Sequence, residues 1–206
     1  MRDGGPTAVI FDVGNVLYGW DPDAFLAQQI PDDEARLRFV ADSGLYAWHD
    51  GLDGGRSYDE AARELSEIFP AYADVIAAWG ARFGETIKYP VPGMPELVAE
   101  LDARGIPLFG ITNFSADFWP PFRAREAAFF DRFRDIVVSG EEKLLKPDPA
   151  IYWLALDRFG LRPEQALFVD DRQINVDGAE AIGIASHLFV GADDLRVRLT
   201  AEGLLP

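Results

Sequence analysis

Ala8-Val9-Ile10-Phe11-Asp12-Val13-Gly14-Asn15 decides how the chain is read. Four apolar residues run without interruption after Gly4-Gly5-Pro6, and the run hands over to a carboxylate with a glycine close behind. A short continuous apolar stretch bounded by turn residues suits a strand buried on both faces, as in a parallel sheet. Runs of the same type recur at Pro107–Ile111, Ile136–Val138, Ala166–Val169 and His187–Val190. Helical spacings lie between them. Met94, Leu97, Val98 and Leu101 precede Gly105; Ile151, Leu154, Ala155 and Phe159 precede Gly160; Val176, Ala179 and Ile182 precede Gly183. A glycine just past a periodic apolar face is a helix stop. Strand and helix alternating in this way predict an α/β fold, a doubly wound (Rossmann-like) parallel sheet.

The interval from Asp23 to Arg82 has a different texture. It lacks a strand-like run and carries helical spacings at Ala61, Leu65 and Ile68 and at Val75, Trp79 and Phe83, broken by Gly51, Gly54 and Gly55. Pro90, Pro92 and Pro95 then mark the return to the sheet. The expected organisation is a core formed by residues 1–20 and 86–206, with residues 21–85 inserted as an all-helical cap directly after the first strand and its loop.

Bulk properties exclude several classes. A chain of 206 residues, 49% hydrophobic and 26% charged, can bury a sizeable core. A formal charge of −16 argues against nucleic acid and against an anionic membrane surface. It leaves room for a small phosphorylated partner, because a local metal ion and a lysine can reverse the sign inside a cleft. The absence of cysteine excludes disulfides, thiolate catalysis and cysteine metal sites. Asp12 interrupts the only apolar candidate for a leader, Ala8 to Leu17, and nothing approaches a membrane-spanning length. A cytoplasmic protein is the expectation.

Ligands of open parallel sheets bind outside the carboxyl ends of the strands. Asp12, Thr112 with Asn113, and Asp170 with Asp171 each follow such an end, and Lys146 stands before Pro147 at a helix start. Together they offer one nucleophilic carboxylate, a hydroxyl with an amide, an ammonium and a pair of acids. Taken singly, each has an ordinary reading as a turn former, a cap or a surface residue.

The order and content of these segments resemble the haloacid dehalogenase superfamily, in particular its phosphatases with a helical cap. Phe11–Leu17, Phe118-Trp119-Pro120, Lys146–Tyr152 and Phe168–Val176 resemble the glucose-1-phosphate phosphatase-like members. The resemblance implies a magnesium-dependent phosphomonoesterase acting on a small phosphorylated metabolite, sugar phosphates included, through an aspartyl-phosphate on Asp12. A carboxylate on a rigid strand end can attack phosphorus once a cation offsets the repulsion between the two anions. By the same resemblance Asp12, the Gly14 carbonyl, Asp170 and Asp171 hold Mg2+, and Asn175, one helical turn after Asp171, stands behind these ligands. The Thr112 hydroxyl and Asn113 amide bind phosphoryl oxygens, and Lys146 offsets their charge and restrains Asp12. Trp20, Trp48 and His49 are the side chains expected to select the substrate.

Most phosphatases of this superfamily carry a second aspartate where this chain has Gly14. The general acid/base is therefore unassigned, with His49, Asp50 and Asp21 as candidates. Two alternatives follow. A metal-independent 2-haloacid dehalogenase would use Asp12 on carbon, although two adjacent acids beside it make little sense without a cation. A catalytically impaired binding module would keep affinity for phosphate or metal without turnover.

Overall fold

The computed structural model describes residues 5–206. The run at Ala8–Phe11 is the first strand, β1, and alternate residues enter different cores: Val9 and Phe11 join one apolar cluster, Ala8 and Ile10 the other. That two-sided burial is the reason the run is apolar at every position. The chain continues through β2 (Tyr18–Trp20) and the helices α1 (Pro22–Gln29), α2 (Asp33–Ser43), α3 (Leu45–Asp53), α4 (Tyr58–Ile68) and α5 (Ala73–Arg82) to β3 (Ile87–Pro90). It then alternates: α6 (Met94–Ala103), β4 (Leu108–Thr112), α7 (Trp119–Arg125), α8 (Ala127–Phe130), β5 (Asp135–Val138), α9 (Ser139–Glu142), α10 (Pro149–Phe159), β6 (Ala166–Asp170), α11 (Gln173–Glu180), β7 (Ala185–Leu188) and α12 (Ala192–Ala201).

β1 lies at the centre of a five-stranded sheet of order β5-β4-β1-β6-β7, and each neighbouring pair is parallel. The expected α/β doubly wound sheet is present. From β1 the chain builds outward through β4 and β5, then crosses back to add β6 and β7 on the other side. β1, β4 and β6 thus present their carboxyl ends side by side where the winding reverses, which is where such sheets bind ligands.

The helices α1 to α5 lie between β2 and β3, which pair antiparallel. Phe25, Phe39, Leu52, Leu65 and Trp79 from these helices belong to the same apolar cluster as Val9 and Phe11. Pro22 at the first turn and Asp21 accepting the Ala24 N–H at 2.9 Å start α1, satisfying donors that a helix start leaves free.

Two local expectations shift. The last strand is Ala185–Leu188 rather than His187–Val190: the Phe189 N–H still donates to the Asp170 carbonyl at 2.9 Å, but Asp170 is the last residue of β6 and no partner follows it, and Val190 is 74% exposed. The β2–β3 pair was not anticipated: its strands of three and four residues join segments far apart in the chain, so no local pattern marks them. No helix among the described residues is long and apolar enough to cross a membrane.

Candidate active site

Asp12 follows β1, Thr112 closes β4, and Asp170 closes β6 with Asp171 directly after it. Lys146 reaches this edge from the loop before α10. Its ammonium lies 2.8 Å from Asp12 Oδ1 and 2.7 Å from Asp170 Oδ2, and the residue is only 3% exposed. Its backbone is clamped by Asn113, whose Nδ2 donates to the Lys146 carbonyl at 3.1 Å and whose Oδ1 accepts the Lys146 N–H at 2.9 Å. The Asn113 amide, expected on a phosphoryl oxygen, is thus also a clamp on the lysine.

Asp170 is fully buried and heavily engaged. Its Oδ1 accepts from the Arg172 N–H at 2.9 Å and from Asn175 Nδ2 at 2.9 Å, while Oδ2 faces Lys146. Asn175, expected to support the acid pair, thus binds Asp170. Asp171 opens to the cleft, and the Asn15 side chain beside it draws its carboxyl down. Asn15 adopts a left-handed φ of 56°, a conformation that asparagine tolerates better than most residues, and its Oδ1 also accepts the Trp20 N–H at 3.1 Å. Carboxylate oxygens of Asp12, Asp170 and Asp171 all come within 4.8 Å of one another.

The charges do not balance. Burial, with Asp170 and Asp171 adding to it and Lys146 pulling back, raises the Asp12 carboxyl to about 7. Burial also raises Asp171, with Asp170 adding to it. For Lys146, burial favours the neutral amine, but the two carboxylates beside it more than offset that and its pKa rises. The lysine is a fixed ammonium facing an excess of acid. An all-oxygen anionic cluster of this size matches the donor set of a hard divalent cation such as Mg2+. Asp12, Asp171 and the Gly14 carbonyl border the cleft where the ion would sit, with Asp170 behind them.

Above the acids is a cavity of about 250 Å3. Asp12, Asn113, Lys146 and Asp171 are among its polar lining, and Tyr18, Trp20, Phe83, Ile87, Phe114 and Phe122 form apolar walls. Trp20 stacks on His49, ring centres 5.6 Å apart, and His49 also stacks on Phe83 at 5.3 Å. Both Trp20 and His49 line the cavity. Trp48 turns into the helices instead: its indole N–H donates to the Ala61 carbonyl at 3.1 Å and its ring packs edge-on to Tyr58. Thr112 is 1% exposed at the end of β4.

Of the acid/base candidates, Asp21 caps α1, Asp50 is exposed at the cavity rim, and burial lowers His49 to about 4, leaving it a neutral imidazole. The sequence reading missed Asp53. It lines the cavity one helical turn after His49, and burial, aided by the Asp50 and Asp12 charges, raises its carboxyl to about 8. The i,i+4 spacing of His49 and Asp53 was the available signal.

A parallel sheet bearing a buried lysine among carboxylates at its switch point defines a hydrolase of one recognisable class. Residues 6–183 match the model of the haloacid dehalogenase-like hydrolases, and the chain belongs to that family. Among curated proteins it is 29% identical to the sesquiterpene phosphatase astK of Aspergillus oryzae, over 88% of this chain and 89% of that protein. It is 27% identical to mouse acyl-CoA dehydrogenase family member 10, over 86% of this chain but only 17% of that much longer protein. A family enzyme of Bacteroides thetaiotaomicron, solved with magnesium and inorganic phosphate, superposes with a TM-score of 0.66 at 22% identity, covering 89% of this chain and 93% of that one. At that identity the likeness concerns the fold.

Proposed function

We propose that the chain is a magnesium-dependent phosphomonoesterase. The observation that carries this reading is the cluster of Asp12, Asp170 and Asp171 around a single buried ammonium, an arrangement completed by one divalent cation and a phosphoryl group. Asp12 is the nucleophile. Its backbone is fixed by an N–H bond to the Val169 carbonyl at 2.8 Å, and its Oδ1 is oriented by the Val13 N–H at 2.7 Å and by Lys146. Lys146 also offsets charge on the transferring phosphoryl group. Thr112 and the Gly14 N–H complete the cradle, the Val13 and Asn15 amides being spent on Asp12 and on the Tyr18 carbonyl, while Asn113 acts by holding Lys146 in place. Bound Mg2+ supplies neutralisation of phosphoryl and carboxylate charge. Residues 21–85 serve as the cap that covers the substrate.

The apolar walls refine the substrate class. Trp20, Phe83, Ile87 and Phe122 favour a monoester whose alcohol part is apolar over a sugar, whose hydroxyls would lose hydrogen bonds against them. The phosphatase activity in the name of the Aspergillus oryzae relative agrees with that preference.

The test is hydrolysis of 4-nitrophenyl phosphate with magnesium and with chelator, by wild type and Asp12→Asn. Release of nitrophenolate that requires both the ion and Asp12 is the expected result. Chelator-insensitive chloride release from 2-chloropropionate would instead identify a dehalogenase.

A further inference from the structure

Expulsion of an alkoxide from a phosphomonoester calls for a proton donor, and Gly14 contributes no side chain beside Asp12. We propose that Asp53 of α3 is the general acid of the first step and the general base of the second, with His49 as its positioning residue. This rests on the phosphomonoesterase reading above.

The geometry carries the assignment. Asp53 lines the same cavity as Asp12, Lys146 and Asp171, but from α3 rather than from the sheet edge. Its side chain is 13% exposed, and its Oδ1 is buried without a hydrogen-bond partner, 3.7 Å from His49 Nε2. His49 is enclosed by Trp20, Trp79 and Phe83, which leave its ring little freedom, and its Nδ1 is likewise buried and unpartnered. The Asp53 backbone is anchored to the core, its carbonyl accepting from Ser139 Oγ at 2.6 Å. Among the described residues only the Ser115 N–H and Lys146 favour the ionised form of this carboxyl, and burial outweighs both. The carboxyl does have an open route to the space above Asp12.

The groups facing it set its protonation. Burial is the largest influence, followed by the charges of Asp50 on its own helix and Asp12 across the cavity, all raising it; the Ser115 N–H and Lys146 pull the other way. The net result, about 8, leaves the acid protonated at neutral pH. In the first step an Asp12 oxygen bonds to phosphorus. The bond from phosphorus to the leaving oxygen breaks with its electron pair, and the Asp53 proton passes to that oxygen, releasing the alcohol. In the second, the Asp53 carboxylate takes a proton from water as its oxygen attacks phosphorus. The bond to Asp12 then breaks, regenerating both carboxyl groups in their starting states. The neutral imidazole of His49 presents its Nε2–H to the carboxylate between the steps.

The test compares leaving groups. Nitrophenolate departs without a proton, whereas a primary alkoxide does not. Asp53→Asn should lower kcat/KM for hexyl phosphate by roughly 10²–10⁴-fold, and lower the burst of nitrophenolate from 4-nitrophenyl phosphate by far less, which also shows that the variant is folded. Wild-type kcat/KM for hexyl phosphate should fall as pH rises past about 8, and that limb should be missing in Asp53→Asn. A Cβ at Gly14 would meet nothing within 4 Å, so Gly14→Asp has room to restore alkyl-phosphate turnover in the Asp53→Asn background. Equal losses on both substrates, or no loss on either, overturn the assignment. So does a selective loss in Asp50→Asn that Asp53→Asn does not show. Wild type without magnesium- and Asp12-dependent release of nitrophenolate overturns the phosphatase reading itself, and this proposal with it.

Discussion

A carboxyl that the fold keeps protonated costs stability wherever the unfolded chain would ionise it, and Asp53 is such a group. Its ordinary pKa is 3.8 and burial lifts it to about 8. The sign follows directly: below the unfolded value both states carry the proton, and as pH rises toward the folded value only the unfolded chain releases it, so stability drains away across that window. Asp53→Asn removes the ionisation without changing the shape. The variant should therefore melt above wild type, with the gap widening from pH 5 to pH 8; thermal unfolding followed by circular dichroism at both pH values checks it. A constant gap would mean that Asp53 ionises freely in the native state. Lys146 shows the opposite relation, since it stays charged because Asp12 and Asp170 hold it. Two buried acids of the same site thus have opposite surroundings: Asp170 is fully satisfied by lysine, asparagine and backbone, while Asp53 keeps an unpartnered oxygen.

At the scale of elements, the short helix α9 is the joint between the sheet and the helices over it. Ser139 Oγ accepts the Phe114 N–H at 2.9 Å and donates to the Asp53 carbonyl, and the Gly140 N–H donates to the Phe114 carbonyl at 3.1 Å. A Cβ on Gly140 would lie 2.4 Å from the Ala116 nitrogen and 2.8 Å from the Phe114 oxygen, both backbone atoms that cannot swing aside. Gly140→Ala must push the loop after β4 away, moving Asn113, which clamps Lys146, and α3, which carries Asp53. Overpacking of this kind costs about 1–3 kcal/mol. Urea unfolding should show that loss, and kcat should fall further than the melting point suggests. An unchanged kcat would mean that the loop and α3 are positioned independently of α9. Elements such as α9 explain what sequence could convey. β1, β4 and β6 were legible because burial on both faces makes every residue apolar, and α6 and α10 because one face does so at helical spacing. The placement of Asp12, Thr112 and Asp170 followed from strand ends, and that of Lys146 from the helix start marked by Pro147. The partner of Asn113, the inward turn of Trp48 and the exposure of Asp53 to the cavity all depend on how distant segments dock, and no local pattern encodes that.

For the molecule as a whole, the site must be weighed against a chain of net charge −16. Any salt screens that self-repulsion and stabilises the fold somewhat, so a melting point that rises with magnesium is not by itself a sign of a site. The two contributions separate by valence and by residue. Screening depends on ionic strength and is shared by sodium chloride; occupancy of a site depends on free Mg2+ and contributes RT ln(1 + [L]/Kd), about 2.7 kcal/mol at 100 times Kd. Magnesium chloride should raise the melting point well above sodium chloride of equal ionic strength, and excess chelator should reverse that increment. Asp171→Asn removes the acid that opens to the cleft while leaving the Lys146–Asp170 contact intact, so this variant should retain the sodium response and lose the extra magnesium one. An equal magnesium increment in Asp171→Asn would place the effect on the acidic surface at large, and would remove the ion from the arrangement on which Asp12 depends.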